Sequence, residues 1–343
     1  MKAGCQFTVA AVNDLNELQS LSREWTDLCN RCPGSTPFQR PEWLLSWVEA
    51  FKPQQIYTIQ VRRGEVLVGL APMFLYTSGS EKILSPLGAG ISDYLDWLID
   101  PADSDEVIRL IVAFLENSEL GWTRLDVTDI PANAALRGLS DYNIDACPDN
   151  ACPLLQLPAS FAELEQRLPA KFRHNLHTAQ RRIEKAGRVS VEIANEFTLD
   201  GFFFAMLELH GARWNQLGMA GVLADSAVQH FHRMAAARLL RSGVLRLFGL
   251  RLNGKLIATL YALCEREVVY CYLQAFDPDY RFFSPGVQIL AHVIDHAIRE
   301  GKRVVDFLRG REAYKYLWGA TDRQTYRLSV HRRSLMPAAR IAA

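Results

Sequence analysis

Net charge is the first thing this chain lacks: 38 Lys+Arg stand against 38 Asp+Glu over 343 residues. No global field therefore draws it toward DNA or a bilayer. No apolar run reaches the ~18 residues that a membrane-spanning helix needs. Cysteines number 7, an odd count, and they are scattered. That pattern argues against a disulfide framework and fits a reducing, cytoplasmic setting. The opening stretch MKAGCQFTVAAVNDLNELQ has one early lysine and a short apolar patch broken by Asn13 and Asp14, unlike a secretory leader. Familiar catalytic signatures are missing too: no Walker loop, G-x-G-x-x-G, H-E-x-x-H or G-x-S-x-G. Cys29 and Cys32 form a C-x-x-C pair, but Cys147 and Cys152 make a loose second half for zinc, so free thiols and no metal are expected.

What is present is a composition 49% hydrophobic and 22% charged, that of a globular chain long enough for two domains. In the first half, FTVAAV reads as a strand, Leu15 to about Leu28 as a helix, and PEWLLSWVEAF as a helix opened by Pro41. Arg63-Gly64-Glu65 joins two extended runs as a hairpin. DEVIRLIVAFLENS reads as a helix, TRLDVTDI as a buried strand, and the Pro- and Asp-rich stretch DACPDNACPLLQLPAS as a joint near residue 158. The second half repeats the plan. RRGEVLVGLAPMFL and RLNGKLIATLYALC align about 190 residues apart, and each is followed by a helix and a buried strand bearing Asp126 or Asp306. A duplicated α/β domain follows: residues 1–158 as one unit, residues 159–343 as the other. Residues 268–308 read as strand, crossover helix and strand, a parallel right-handed unit.

The crossover helix opens at FDPDYRFFSPGVQIL. Ser284 suits an N-cap and Pro285 the first helical position, while Gly286 leaves the first turn without a side chain. The pattern predicts bare N–H groups able to hold an anion, beyond the carboxyl end of a strand where open α/β sheets bind ligands. Arg281 could neutralise a phosphate, and Phe282 and Phe283 offer apolar surface. Each also has a plain reading: a helix cap, a solvated charge, core aromatics.

Residues 277–319 resemble the GNAT acyltransferase superfamily, with RFFSPG at the place of its glycine-rich coenzyme turn and AYKYLWGA at its tyrosine-bearing helix. One glycine stands where the superfamily has several. A closer resemblance is to the tandem-domain acetyltransferase family found beside cellulose and exopolysaccharide synthesis genes, carried by KFRHNLHTAQRRIEKAG, RWNQLG, FDPDYRFFSPGVQIL and VVDFLRGREAYKYLWGA. It implies two GNAT-like domains, each a mixed sheet flanked by helices, with the coenzyme site in the second; TPFQRPEWLLSWVEAF in the first half fits the family, but no second coenzyme loop is visible there. It implies acyl transfer from acetyl-CoA or another acyl-CoA to an amine or hydroxyl, on a small-molecule or saccharide acceptor. Arg281, Phe283, Ser284, Gly286 and Val287 would hold the donor, and Tyr314 would protonate the leaving thiolate. Asp306, at the end of its strand, would serve as base or amine anchor, the alternative being a structural carboxylate. Arg173, Trp214 and Lys315 would meet the acceptor. His210, one turn before Trp214, could be a base or a structural histidine. The basic helix 171–188 would contact an anionic ligand or simply be solvated. Fem-type transferases, which use aminoacyl-tRNA, share the duplicated plan and are the alternative, with a non-catalytic module of the same fold as a third.

Overall fold

In the computed structural model, residues 6–136 and 146–332 are described. Contacts divide the chain into Met1–Asn150 with Gln324–Ala343, and Ala151–Arg323.

The first unit begins with β1 (Phe7–Val12), α1 (Leu15–Ser20), α2 (Ser22–Arg31) and α3 (Pro41–Phe51). Pro41 does open α3. Strands β2 (Gln55–Ile56), β3 (Thr58–Arg63), β4 (Val66–Ala71), β5 (Met73–Ser78), β6 (Glu81–Pro86) and β7 (Leu98–Ile99) follow, then α4 (Ser104–Asn117) and β8 (Arg124–Pro131). One sheet has the order β1-β3-β4-β7. In a second sheet β5 pairs with β2 and β6, and β6 runs parallel to β8. Val107, Ile111 and Leu115 turn one side of α4 into a core with Trp97 and Trp122.

The second unit takes in most of β9 (Cys147–Gln156), then α5 (Phe161–Arg167), α6 (Ala170–Ala186), β10 (Val189–Ile193), α7 (Leu199–Gln216) and α8 (Ser226–Arg241). Strands β11 (Leu245–Leu252), β12 (Lys255–Glu265) and β13 (Val268–Phe276) lead to a 3-10 turn, Pro278–Phe283. Helix α9 (Pro285–Arg299), β14 (Val304–Asp306) and α10 (Ala313–Leu317) complete it. The strand order is β10-β11-β12-β13-β14-β9. Phe248 and Leu250 face a core shared with α5, α6 and α9. Gly249, between them, faces α7 on the other side; a Cβ there would sit 2.6 Å from Phe202.

Two expectations need adjusting. The Pro- and Asp-rich stretch does contain the division between the units, at Asn150/Ala151 rather than near residue 158, but it is a strand: β9 pairs antiparallel with β14, Leu155 opposite Val305. The last strand, β15 (Thr321–His331), pairs with β8, Leu328 opposite Val127, so the chain re-enters the first unit after residue 323. Both pairings join distant parts of the chain, which local pattern does not reveal. The buried side of α9 carries Ile289, Leu290, Val293, Ile294 and Ala297, while Val287 and Ala291 are half-buried.

The duplication is visible in fine detail. The hairpins β3–β4 and β11–β12 each carry a register shift, between Val61/Arg62 and between Leu250/Arg251, about 190 residues apart. Asn253 and Gly254, both at positive φ (50° and 85°), make the second turn in the geometry that matches strand twist.

Candidate active site

Strands β13 and β14 run parallel for three pairs, ending at Tyr270 opposite Asp306. Beyond that point they part. Strand β13 continues to Phe276, paired only with β12, while the chain after β14 stays with β9: Phe307 N–H donates to the Pro153 carbonyl (3.0 Å) and Gly310 N–H to that of Ala151 (3.1 Å). An opening results, along which β13 from Cys271 onward has no second strand beside it among the described residues.

The bend that creates the opening is built by two predicted site residues. Leu308 adopts φ 57°, a conformation costly for a branched side chain. Its N–H donates to Asp306 Oδ1 at 2.8 Å. Asp306 is 1% exposed and its other oxygen pairs with Arg323 at 3.1 Å. Lys315, 2% exposed, sends Nζ to the carbonyls of Leu308 (3.2 Å), Arg309 (3.0 Å) and Gly310 (3.0 Å), and to Glu312 (2.9 Å). Asp306 is thus a buried, ion-paired carboxylate rather than a base open to substrate, and Lys315 holds its own loop rather than an acceptor. The reason is the same in both cases: a bend leaving a sheet exposes backbone groups that a charged side chain can satisfy.

Tyr314, 37% exposed, lies on α10 with its ring edge-on to Phe307 (6.4 Å). Desolvation, reinforced by Cys271 and Glu312, pushes its phenol up, so it stays protonated across the ordinary pH range. Strand β13 carries a bulge at this level: Leu273 faces Tyr261 and Cys271 faces Ala262, leaving Tyr272 as the extra residue. Bulges re-aim side chains beside active sites. Tyr272 is turned toward buried His232, ring centroids 5.5 Å apart, and Tyr261 stands 5.8 Å from Tyr272. Burial, then neighbouring His210, brings the His232 imidazole down to about 3. His210 is also buried and lowered, and packs on half-buried Trp214 at 5.8 Å. Gly221 (φ 73°) brings its backbone over both; a Cβ there would lie 2.5 Å from His210 and 2.6 Å from Trp214. The bulge and the His232 cluster were not legible beforehand, since a bulge depends on the partner strand.

Helix α9 does begin at Pro285 as expected, but its cap differs in detail. Ser284 is the N-cap in a left-handed conformation (φ 51°) and makes no side-chain cap bond. Its carbonyl instead accepts from Val287 N–H (3.0 Å) and Gln288 N–H (3.1 Å). The Gly286 N–H is the first-turn amide that the helix itself does not use. Gly286 also lets α9 approach β13: a Cβ would sit 2.9 Å from Gln274 Nε2 and 3.3 Å from Phe276, and Gln274 donates to the Gly286 carbonyl at 2.6 Å. Arg281 is exposed and Phe283 half-buried against Tyr280 (6.3 Å) and Phe282 (5.7 Å).

The basic helix α6 borders this turn. Arg182 lies over the Phe282 ring (4.0 Å) and donates to the Phe282 carbonyl (3.1 Å). At 100° per residue, Lys171, His174 and Lys185 fall on the same flank. Arg173 lies on another flank, donating to the Glu165 carbonyl at 3.1 Å, where His177 also meets Glu165 (2.7 Å). Arg173 is therefore turned to Glu165 rather than to the Pro278–Phe283 turn that Arg182 meets. Cys29 and Cys32 donate to the Gln39 and Ile99 carbonyls, and no group of three or more His, Cys, Asp or Glu among the described residues could hold a metal.

Residues 170–316 match the family model described as an acetyltransferase (GNAT) domain. No curated protein matches the chain. Among solved structures, FemX is similar at TM-score 0.68 and 12% identity, over 90% of this chain and 95% of that one. L-PGS from Bacillus licheniformis follows at TM-score 0.58 and 9% identity, over 93% and 94%. A protein from Agrobacterium fabrum, named as a lysylphosphatidylglycerol synthetase, contributes a C-terminal domain at TM-score 0.61 and 12% identity, over 95% and 94%. These likenesses establish the fold. The chain has the α/β architecture expected of it, two GNAT-like domains with mixed sheets flanked by helices. No helix among the described residues is long and apolar enough to cross a membrane.

Proposed function

We propose that the second unit transfers an acyl group, acetyl in the simplest case, from coenzyme A to an amine or hydroxyl of an acceptor. One observation carries this: the unpaired edge of β13 opens beside the start of α9. A pantetheine arm can pair with such an edge as an added strand. The thioester carbonyl then faces β13 amides near the Tyr272 bulge, and an N–H donor to a developing oxyanion contributes ~3–4 kcal/mol. Holding donor and acceptor together removes much of the entropic barrier. The Gly286 amide, the dipole of α9 and exposed Arg281 would receive the diphosphate. Tyr314, kept protonated, would give its proton to the departing thiolate. The first unit is proposed to lack a donor site, because α4 has Asp105 and Glu106 in its first turn, whereas α9 has no acid there.

Thermal unfolding with acetyl-CoA and longer acyl-CoAs tests this. Saturating donor at 100 times its Kd adds about 2.7 kcal/mol and raises Tm. If no acyl-CoA moves Tm, the reading fails. The Fem-type alternative draws on one observation, the cationic flank of α6 alongside the Pro278–Phe283 turn; it predicts that charged tRNA, and not acyl-CoA, is bound.

A further inference from the structure

Arg213, in the last turns of α7, places its guanidinium over the face of Phe276, 4.8 Å from the ring centroid. It is half-buried, yet among the described residues no carboxylate pairs with it. Three half-buried arginines of this unit are matched to acids, Arg246 to Glu300, Arg251 to Glu192 and Arg323 to Asp306, while Arg173 and Arg182 donate to backbone carbonyls. Removing a cation from water without a counter-charge is costly, and a stacked ring offsets only part of that cost.

His210, one turn earlier on α7, is a buried imidazole lowered by desolvation and by Arg213 itself. Trp214 is its neighbour, and Arg213 also acts on the Tyr314 phenol, lowering it. Glu312, which also acts on Tyr314, is engaged by Lys315 at 2.9 Å. The edge of Phe276 faces Gly286 at the start of α9, while its face carries the guanidinium. Arg213 therefore belongs to the α7 side of the opening, with His210 and Trp214.

We propose that Arg213 reads an anionic group, a carboxylate or a phosphate, on the acceptor. The proposal rests on the acyl-transfer reading above and adds a substrate class to it: acidic amines, such as amino acids or phosphorylated amino sugars. A planar fork recognises either group through two parallel N–H donors. A fixed cation nearby also favours the neutral, nucleophilic form of the acceptor amine. The same chemistry could be offered by the donor's diphosphate, so the experiment must separate the two sources.

Wild type, R213Q and R213K are compared in two arms. One measures acetyl-CoA affinity by calorimetry. The other measures CoA release and equilibrium binding for matched probes: L-amino acids against their amides, and glucosamine 6-phosphate against glucosamine. Wild type is expected to favour the anionic member of at least one pair. R213Q should lose about 10- to 150-fold in kcat/KM and affinity on that member alone, with acetyl-CoA affinity unchanged. R213K, which keeps the charge and the ring contact, should fall between and guards against a folding defect. Loss of acetyl-CoA affinity in R213Q would assign the arginine to the donor and overturn the proposal. Equal use of charged and neutral members by wild type would overturn it as well. If wild type binds no acetyl-CoA, the acyl-transfer reading fails, while undiminished binding of the anionic probes by R213Q would separately overturn the role of Arg213.

Discussion

Replacing Lys315 with methionine removes an ammonium from inside the loop that parts β14 from β13. Its Nζ gathers three backbone carbonyls, of Leu308, Arg309 and Gly310, within 3.0–3.2 Å. Two of these residues have positive φ, 57° at Leu308 and 110° at Gly310, so the loop has no regular ladder to fall back on. A hydrogen bond to a charged group contributes about 1.5–3 kcal/mol. Three sharing one donor are not additive, and loss of one member of a buried charged network costs about 3–5 kcal/mol. Methionine nearly conserves volume, so the packing change adds little. Glu312, 57% exposed at its side chain, contributes little as an ion pair. The expected loss is therefore about 4 kcal/mol, or roughly 10 °C in Tm for a unit of this size. Urea and thermal unfolding measure it. A K315M protein that loses under about 1 kcal/mol while its acceptor KM rises would refute the structural role and restore the substrate contact expected from sequence.

Three further outcomes follow from the same geometry. Gly254→Ala has no steric neighbour within 4 Å but sits at φ 85°; its cost should be conformational, about 1–2 kcal/mol, read as a shift in the urea midpoint at constant slope. His232 is held neutral in the fold down to about 3, while the unfolded chain protonates it near 6.5. Below 6.5 the unfolded state binds the extra proton, so this group's contribution, fully present above 6.5, is lost as pH falls toward 3; H232Q should flatten that part of the stability–pH curve. Tyr314→Phe should lower kcat without changing acyl-CoA affinity. Because the wild-type phenol is pushed up, no loss of activity from its ionisation should be seen below pH 10. An unchanged kcat in that variant would remove Tyr314 from the reaction.

Periodicity and turn chemistry carried most elements of the fold into view. Pro41 at the start of α3, Asn253-Gly254 between β11 and β12, and Gly187 just beyond α6 act within a few residues of themselves, so the linear chain displays them. The candidate site was legible as a location, the strand end before the Ser284 turn, for the same reason. Its individual roles were not. Asp306 and Lys315 look like active-site charges because charged residues at strand ends often are, yet here they satisfy a bend whose existence depends on β14 following β9. Arg213 carried no motif; the proposal for it starts from the lack of a carboxylate partner among the described residues.

Sequence alone placed most of the helices, though it read α1 and α2 as one, together with the hairpins, the duplicated plan and the position of the crossover helix, all governed by contacts a few residues apart or by a repeat that can be compared with itself. Only tertiary structure decided the return of β15 to β8, the parting of β13 from β14, the bulge at Tyr272 and the uses of the buried charges. Each of these depends on which distant backbone supplies the next hydrogen bond, and that partner is chosen by packing rather than by local pattern.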